Sequence, residues 1–490
     1  MIKTQFITAL LLLGAHFSFA QNEVDALNLS REEVTGSARF IALGGAFTSL
    51  GGDFSGSAIN PAGVAVFRNS EFSLTPAYHT HISSSDYYGT STIGSKTNFN
   101  FGSLGLVAVR NLTKTGKWKS SAFSVGINRT FNYNQSTTIQ GSGIPTSILD
   151  DYENILRENN VTWTEFSSDY PAYPFDLFLA WNNYLIDTTS GGVEFFNASG
   201  QLPNDQTYLS EITGSKRETV FNFGSNYDDK WYFGIGLIFS RNSRTFQYAY
   251  RETYDDADTT TSLSQFTYEF AEKINGNGTA MNIGAIYRPI EPLRIGFSFK
   301  SPTFYSLDIE YSSRNDAVFG DTSLSTNSPQ TGFYEFRLTT PMQANLGVSY
   351  VFQKHGLLTA DIEFVDYTGI RMFGISDGYS FSKEESNIKT YLTPQINTKL
   401  GGEYRLTSNF SLRGGFAHYG DPFNKKSLGT DAFNLYSFGL GYRTDLFYLD
   451  GSYQMKTSAD SDFIYDASLV DAYAVERTDH RFAVTFGFKF

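Results

Sequence analysis

The last eleven residues, His480-Arg481-Phe482-Ala483-Val484-Thr485-Phe486-Gly487-Phe488-Lys489-Phe490, constrain the fold more than any other segment. Phe482, Val484, Phe486, Phe488 and Phe490 fall on one face of a strand, and Arg481, Ala483, Thr485, Gly487 and Lys489 on the other. Successive strand side chains point to opposite faces, so one face here is wholly apolar and the other small or charged. The same alternation recurs in Phe233, Ile235, Leu237 and Phe239 against Gly234, Gly236 and Ser240. It recurs again in Leu293, Ile295, Phe297 and Phe299, and in Leu346, Val348 and Tyr350. A chain full of such strands predicts a transmembrane antiparallel β-barrel, apolar toward lipid and polar toward a lumen.

The N-terminus agrees. Lys3, the apolar run Phe6 to Leu13 and the small-x-small Ser18-Phe19-Ala20 read as a signal peptide over residues 1–20. That run is too short for a spanning helix, and no later segment holds about 18 uninterrupted apolar residues. The chain has no cysteine, which argues against a lipoprotein anchor or a disulfide scaffold. Its formal net charge of −13 argues against nucleic acid as a partner. Aromatic residues make up 16% of the chain, yet mean hydropathy is −0.27. A barrel reconciles the two, because only every second strand residue need be apolar.

About 14 strands are expected, at 70–82, 97–110, 119–134, 213–226, 230–250, 278–288, 292–313, 331–352, 355–367, 387–405, 409–419, 432–444, 445–457 and 476–490. An even number is what single-chain barrels use. Short connections near 226–230, 289–292, 353–356, 406–409 and 443–446, with 111–118 as a slightly longer member of the set, alternate with long ones at 83–96, 135–212, 251–277, 314–330, 368–386, 420–431 and 458–475. The long set is expected outside the cell and the short set in the periplasm.

A charge on the lipid face costs about 2–4 kcal/mol at mid-bilayer, so strand charges are expected inside. The lumen set is Arg294, Lys300, Arg337, Asp361, Glu363, Lys399, Glu403, Arg405, Arg413, Arg443 and Arg481. Such residues stabilise the wall, or they contact a plug or a ligand head group. Tyr88, Trp118, Trp231, Tyr250, Tyr287 and Tyr442 are expected in interfacial girdles. Pro341 and Pro394 lack a ladder donor and mark bulges, kinks or first strand residues.

Residues 21–69 do not alternate. They run through Gly44, Gly45, Ala46 and Asp53 to Asn60-Pro61-Ala62-Gly63, a glycine-rich compact segment suited to filling a lumen. Asn282 to Pro289 followed by Leu293 to Pro302, and Gly401 to Arg405 followed by Ser411 to Gly415, are two further signatures. In this order the motifs resemble the outer-membrane long-chain fatty-acid and hydrocarbon transporters, the FadL/TodX group. The resemblance spans essentially the whole chain after the signal. It implies a 14-stranded monomeric barrel (70–490) with an N-terminal plug or hatch (21–69), shaped by Gly44, Gly45, Asp53, Asn60, Pro61 and Ala62. It implies passive inward passage of hydrophobic small molecules such as long-chain fatty acids or hydrocarbons, with hatch movement and sideways release through a wall gap. The chain departs from the group in a longer lead-in and in the length of 135–212, so substrate contacts are not carried over.

Within 135–212, Ile148 to Leu156 reads as a short helix. Phe175, Leu177, Phe178, Leu179 and Trp181 are unusually apolar for an outer loop. They are either a capture groove for a hydrophobic ligand or a cap packed on neighbouring loops. His79 and His81 share the lumen face of the first strand, as a solvated rim pair or as contacts for a haem iron. Asp255-Asp256-Ala257-Asp258 lacks the glycine and terminal glutamate of a calcium hand. Asn275-Gly276-Asn277-Gly278 reads as a turn. No catalytic motif stands out, so no enzyme, cofactor or metal is expected. The leading expectation is a passive outer-membrane channel; a haem or other hydrophobic-ligand receptor and a structural or adhesive barrel are the alternatives. Partners expected are a hydrophobic small molecule, outer-membrane lipid and the barrel assembly machinery, through the strand ending in Phe490.

Overall fold

A computed structural model describes residues 23–112, 116–159, 161–162, 175–189, 194–200, 203–254, 263–327, 332–375, 379–424 and 432–490. The signal region 1–20 and the acidic run 255–258 lie outside the described residues.

The chain opens with three short helices, α1 (Glu23–Ser30), α2 (Ala38–Ala42) and α3 (Phe54–Ile59), and a 3-10 turn over Pro61–Val66. The wall then begins with β1 (Glu71–Tyr87), β2 (Thr90–Asn111), β3 (Trp118–Asn132) and β4 (Gln135–Ile144). An outer insertion holds α4 (Ile148–Glu158), α5 (Phe175–Asn182) and a small hairpin, β5 (Ile186–Thr188) and β6 (Phe195–Asn197). Next come β7 (Asn204–Tyr227), β8 (Trp231–Thr253), β9 (Leu263–Ile290), β10 (Leu293–Lys300), β11 (Phe304–Phe319) and β12 (Thr322–Asn327). They are followed by β13 (Gly332–Thr339), β14 (Gln343–Phe352), β15 (Gly356–Asp366), β16 (Arg371–Gly374) and α6 (Ser382–Tyr391). The last strands are β17 (Pro394–Arg405), β18 (Phe410–Tyr419), β19 (Phe433–Arg443), β20 (Phe447–Asp462) and β21 (Tyr473–Lys489).

Several of these continue one another, so the wall is a closed antiparallel barrel of 14 strands. Pairing of β1 with both β2 and β21 closes it, with Phe72 opposite Phe488 and Tyr78 opposite Phe482. The outer face carries the expected apolar rows: Phe233, Ile235, Leu237 and Phe239 are each 44–49% exposed. Among the described residues no helix is long and apolar enough to cross a membrane.

The wall rises higher than alternation predicts. Residues 83–96 are not a loop: β1 and β2 continue to a tight turn at Tyr88-Gly89, both at positive φ. Likewise β9 runs from Leu263, and the two ends of 135–212 belong to β4 and β7. Above the bilayer the outer face meets water instead of lipid, and part of the inner face packs on apolar helices and loops, so the lipid-imposed alternation fades while the ladder goes on. Asn275-Gly276-Asn277-Gly278 is strand inside β9, not a turn; a Cβ on Gly278 would come within 2.7 Å of the Tyr305 ring.

The prolines behave in two ways. Pro394 is the first residue of β17. Pro341 lies in the break between β13 and β14, beside the break at Ser301–Thr303 between β10 and β11. Thr340 N–H donates to Thr303 O at 3.0 Å and Thr303 N–H to Thr340 Oγ1 at 2.9 Å. The two strands therefore bend together and the wall stays joined there.

Candidate functional site

Residues 23–69 lie inside the barrel, held by wall side chains and wall glycines. Glu32 accepts from Lys300 at 2.6 Å, and Lys300 also reaches Glu218 at 2.8 Å. Glu33 pairs with Lys456 at 2.6 Å and Arg481 at 3.4 Å. Arg39 pairs with Glu403 at 3.1 Å, and Glu403 also accepts from Arg413 at 2.8 Å. Thr48 N–H donates to Asp361 at 2.7 Å, and Arg294 donates to Leu50 O at 2.6 Å. Lys399 instead pairs with Glu363 within the wall at 2.7 Å, while Arg405 and Arg443 sit half-exposed beside Glu403 and Asp450.

One of the lumen set is misplaced. Arg337 is exposed on the outer face, because its neighbours Phe336 and Leu338 turn inward to pack on Leu27 and Leu29 of α1. An apolar inner face at this height reverses the parity that lipid imposes lower down. Tyr250 is likewise no girdle residue; it is buried in the loop core, donating to Glu252 at 2.6 Å. Trp231 fits the girdle, half-exposed and stacked on Tyr287 with ring centroids 4.1 Å apart.

The plug residues are tied to one another and to the wall. Asp53 caps α3, accepting from Ser55 N–H at 2.9 Å and Gly56 N–H at 3.2 Å. Its other oxygen takes the Ser37 hydroxyl at 2.7 Å, joining the start of α2 to that of α3. Asn60 caps the Pro61–Val66 turn through Ala62 N–H at 3.0 Å and donates to Thr48 O at 2.6 Å. Gly44 and Gly45 have φ of +63° and +74°, and a Cβ on Gly44 would lie 2.9 Å from Phe416 N of the wall. Inward wall glycines also make room: Gly415 for the backbone at Leu43 and Gly44, Gly296 for that at Thr48, Gly234 for that at Pro61, and Gly284 for the Asn60 side chain and the Pro61 ring. Alternation shows these glycines as inward but gives no hint that they receive the plug.

The ladder is interrupted at one seam. β2 pairs with β3 only from Ser103 to Asn111, so residues 90–101 have β1 on one side and no ladder on the other. Beyond a register shift at Arg129/Phe131, β3 leads into β4, which stays on β7 and crosses the inner face of β1 and β2. Side chains bridge the seam instead of backbone: Ser83 donates to Ser136 O at 2.9 Å and Thr92 to Thr138 O at 2.6 Å. Asn132 donates to Asn98 at 3.3 Å, and Lys96 forms an ion pair with Glu211. Arg129 is buried at this seam. Its Nη1 donates to Asn132 at 3.3 Å, its Nε has no partner, and among the described residues no carboxylate lies within 4 Å. Residue types alone did not single it out, because a bulge put it there.

Above the plug, β7 to β9 present an aromatic inner surface. The Tyr248 ring lies 5.4 Å from Tyr208, 5.7 Å from Phe246 and 5.5 Å from Phe270. The outer insertion closes over it. Of the run that sequence reads as either a capture groove or a packed cap, Leu177 and Leu179 are fully buried, while Phe178 and Trp181 are half-buried. The Phe175 side chain lies outside the described residues. Tyr152 donates to Asp176 at 3.0 Å. Burial pushes the Asp176 carboxyl up to about 6, partly offset by the Leu177 N–H and the Tyr152 hydroxyl. Burial, with Asp466 and Asp176 nearby, pushes Asp151 up to about 7.

His79 and His81 are buried rather than at a solvated rim. Both reach Asp479 Oδ1, at 3.2 Å and 2.8 Å. Among the described residues no group of three or more His, Cys, Asp or Glu is placed to hold a metal ion.

The family model for outer membrane protein transport proteins (OMPP1/FadL/TodX) matches residues 220–485. The chain belongs to the FadL/TodX family. That places it in the outer membrane among transport channels for hydrophobic substrates, a family of channels and not of enzymes. Solved structures of FadL/TodX proteins share the fold. A FadL homologue of Pseudomonas aeruginosa is 13% identical over 94% of this chain and 99% of its own, with a TM-score of 0.56. The P. putida toluene transporter TodX is 12% identical over 94% and 99%, with a TM-score of 0.54. The Ralstonia pickettii toluene transporter TbuX is 13% identical over 93% and 99%, with a TM-score of 0.50. No curated protein sequence matches.

Proposed function

We propose that this FadL/TodX channel carries a long-chain carboxylate, an apolar tail with an anionic head, from the cell exterior to the wall seam. Arg129 carries the reading. A buried guanidinium without a counter-charge is costly, and a ligand carboxylate would supply that charge through paired N–H···O contacts. In this reading the aromatic surface around Tyr248 receives the tail, and Phe131 and Tyr133, which follow Arg129 at the end of β3, flank the head group's site. At the seam, side-chain bridges replace a continuous ladder, so sideways release parts few hydrogen bonds.

Gly44, Gly45, Asp53, Asn60, Pro61 and Ala62 shape the plug in this proposal, and Glu32, Glu33 and Arg39 exchange partners when it moves. Phe178 and Trp181 are the candidate capture contacts; Leu177 and Leu179 hold the cap. Cleavage after residue 20, recognition of the Phe490 terminus by the barrel assembly machinery and a monomeric state complete the proposal. Haem binding by His79 and His81 is not favoured: each imidazole gives one nitrogen to Asp479, and the side chains are packed inside the wall at 3% and 1% exposure, with no open face for a porphyrin.

Uptake of radiolabelled oleate by cells with and without the gene tests it. Uptake should fall in the deletion strain and return with the intact chain. Unchanged uptake, with the protein confirmed in the outer membrane, overturns the substrate.

A further inference from the structure

On β8 the outward residues run Trp231, Phe233, Ile235, Leu237 and Phe239, and the next is Arg241. Ten residues at about 3.3 Å, tilted about 40°, rise about 25 Å, the height of an outer-membrane apolar band. Arg241 therefore stands where the outer-leaflet acyl chains end and the head groups begin.

Arg217 lies directly opposite it on β7. Both side chains point outward: Lys216 and Glu218 on one strand, and Ser240 and Asn242 on the other, are buried inside with partners there. Arg217 and Arg241 are exposed, and among the described residues neither has a carboxylate within 4 Å; Arg217 donates only to Ser215 at 3.2 Å. Like charges directly opposite on paired strands repel, so the arrangement costs stability unless an anion sits between them. Just below lie Phe221 and Phe239, with ring centroids 5.9 Å apart on the lipid face. A cationic pair above an aromatic shelf matches an amphiphile with an anionic head and acyl tails.

We propose that Arg217 and Arg241 bind a phosphate group of an outer-leaflet lipid, whose acyl chains lie on Phe221 and Phe239. Guanidinium pairs suit phosphate oxygens, and at a desolvated interface the charge-assisted bonds strengthen. The site faces lipid, so it is separate from the transport path and does not rest on the substrate proposed above.

The test uses the full chain in neutral detergent, with bisphosphorylated lipid A as probe and native mass spectrometry to count bound lipid. The intact protein should retain lipid A at least tenfold more tightly than the R217Q/R241Q variant, and R217K/R241K should recover part of the difference. Both side chains are exposed, so the variants should fold, as circular dichroism would confirm. Without lipid, R217Q/R241Q should melt no lower than the intact chain, because it relieves repulsion. Equal retention by R217Q/R241Q, or equal retention of dephosphorylated lipid A, overturns the proposal. Displacement of lipid A by millimolar inorganic phosphate would assign the pair to free phosphate and overturn the lipid source.

Discussion

Arg129 and Arg337 show how far a single residue's environment departs from its position in a pattern. Simple alternation puts Arg337 in the lumen, yet Phe336 and Leu338 take the inner face to pack on α1, and the arginine turns out. Alternation gives Arg129 no special place, yet a register shift buries it at the seam without a carboxylate. If Arg129 holds a carboxylate head, R129Q removes charge-assisted bonds worth about 1.5–3 kcal/mol. Uptake of oleate at limiting concentration should then fall about tenfold or more, since about 1.4 kcal/mol is a factor of ten. Uptake of a neutral hydrocarbon such as toluene should stay within about twofold. Equal losses for both would mean that Arg129 only holds the wall together.

Two elements, the seam and the cap, are held differently from the rest of the wall: the seam by side chains in place of a ladder, the cap by a buried apolar cluster. The seam is closed by side chains from β1 and β2 onto β4, with Asn98 and Asn132 facing each other across it at 3.3 Å. The chain has no cysteine, so N98C/N132C introduces one addressable pair. Oxidising it should lower oleate uptake severalfold, and a reductant should restore it; uptake unaffected by a verified cross-link would exclude the seam as the exit. The cap is pH-sensitive by a different route. Asp176 and Asp151, in α5 and α4, have carboxyls raised to about 6 and about 7 when folded, above the unfolded value of about 4. A raised carboxyl binds its proton more tightly in the docked cap. The contribution is therefore full below about pH 4 and is lost as pH rises through 6 to 7. Amide exchange of α4 and α5, corrected for intrinsic rates, should be slower at pH 5 than at pH 8. D176N should shrink that difference, and a pH-independent pattern in the intact chain would contradict the assignment.

At the scale of the whole molecule, the barrel and residues 23–69 form one interlocked body, with acidic and basic plug residues matched to wall partners of opposite sign. If that segment is a plug, removing residues 23–69 should leave a folded barrel with an open lumen. Cells carrying the variant should take up bulky hydrophilic antibiotics that the intact chain excludes, and its single-channel conductance in planar bilayers should rise severalfold. A variant that is folded and inserted but no leakier would mean that the outer cap alone seals the lumen. The sequence by itself determined the membrane-facing architecture. Lipid tolerates only apolar side chains and no unpaired backbone, so every crossing strand carries a period-2 imprint, as in Phe233 to Phe239 and Phe482 to Phe490. It also marked the turn at Asn60-Pro61-Ala62, because turn chemistry is local. The tertiary structure alone decided the rest. The height of the wall above the bilayer, the pairing of Glu32, Glu33 and Arg39 with wall charges, and the seat of plug backbone on Gly296 and Gly415 all depend on which distant residues meet. So does the seam at Arg129, where one extra residue in a strand changes the partners of the whole segment beyond it.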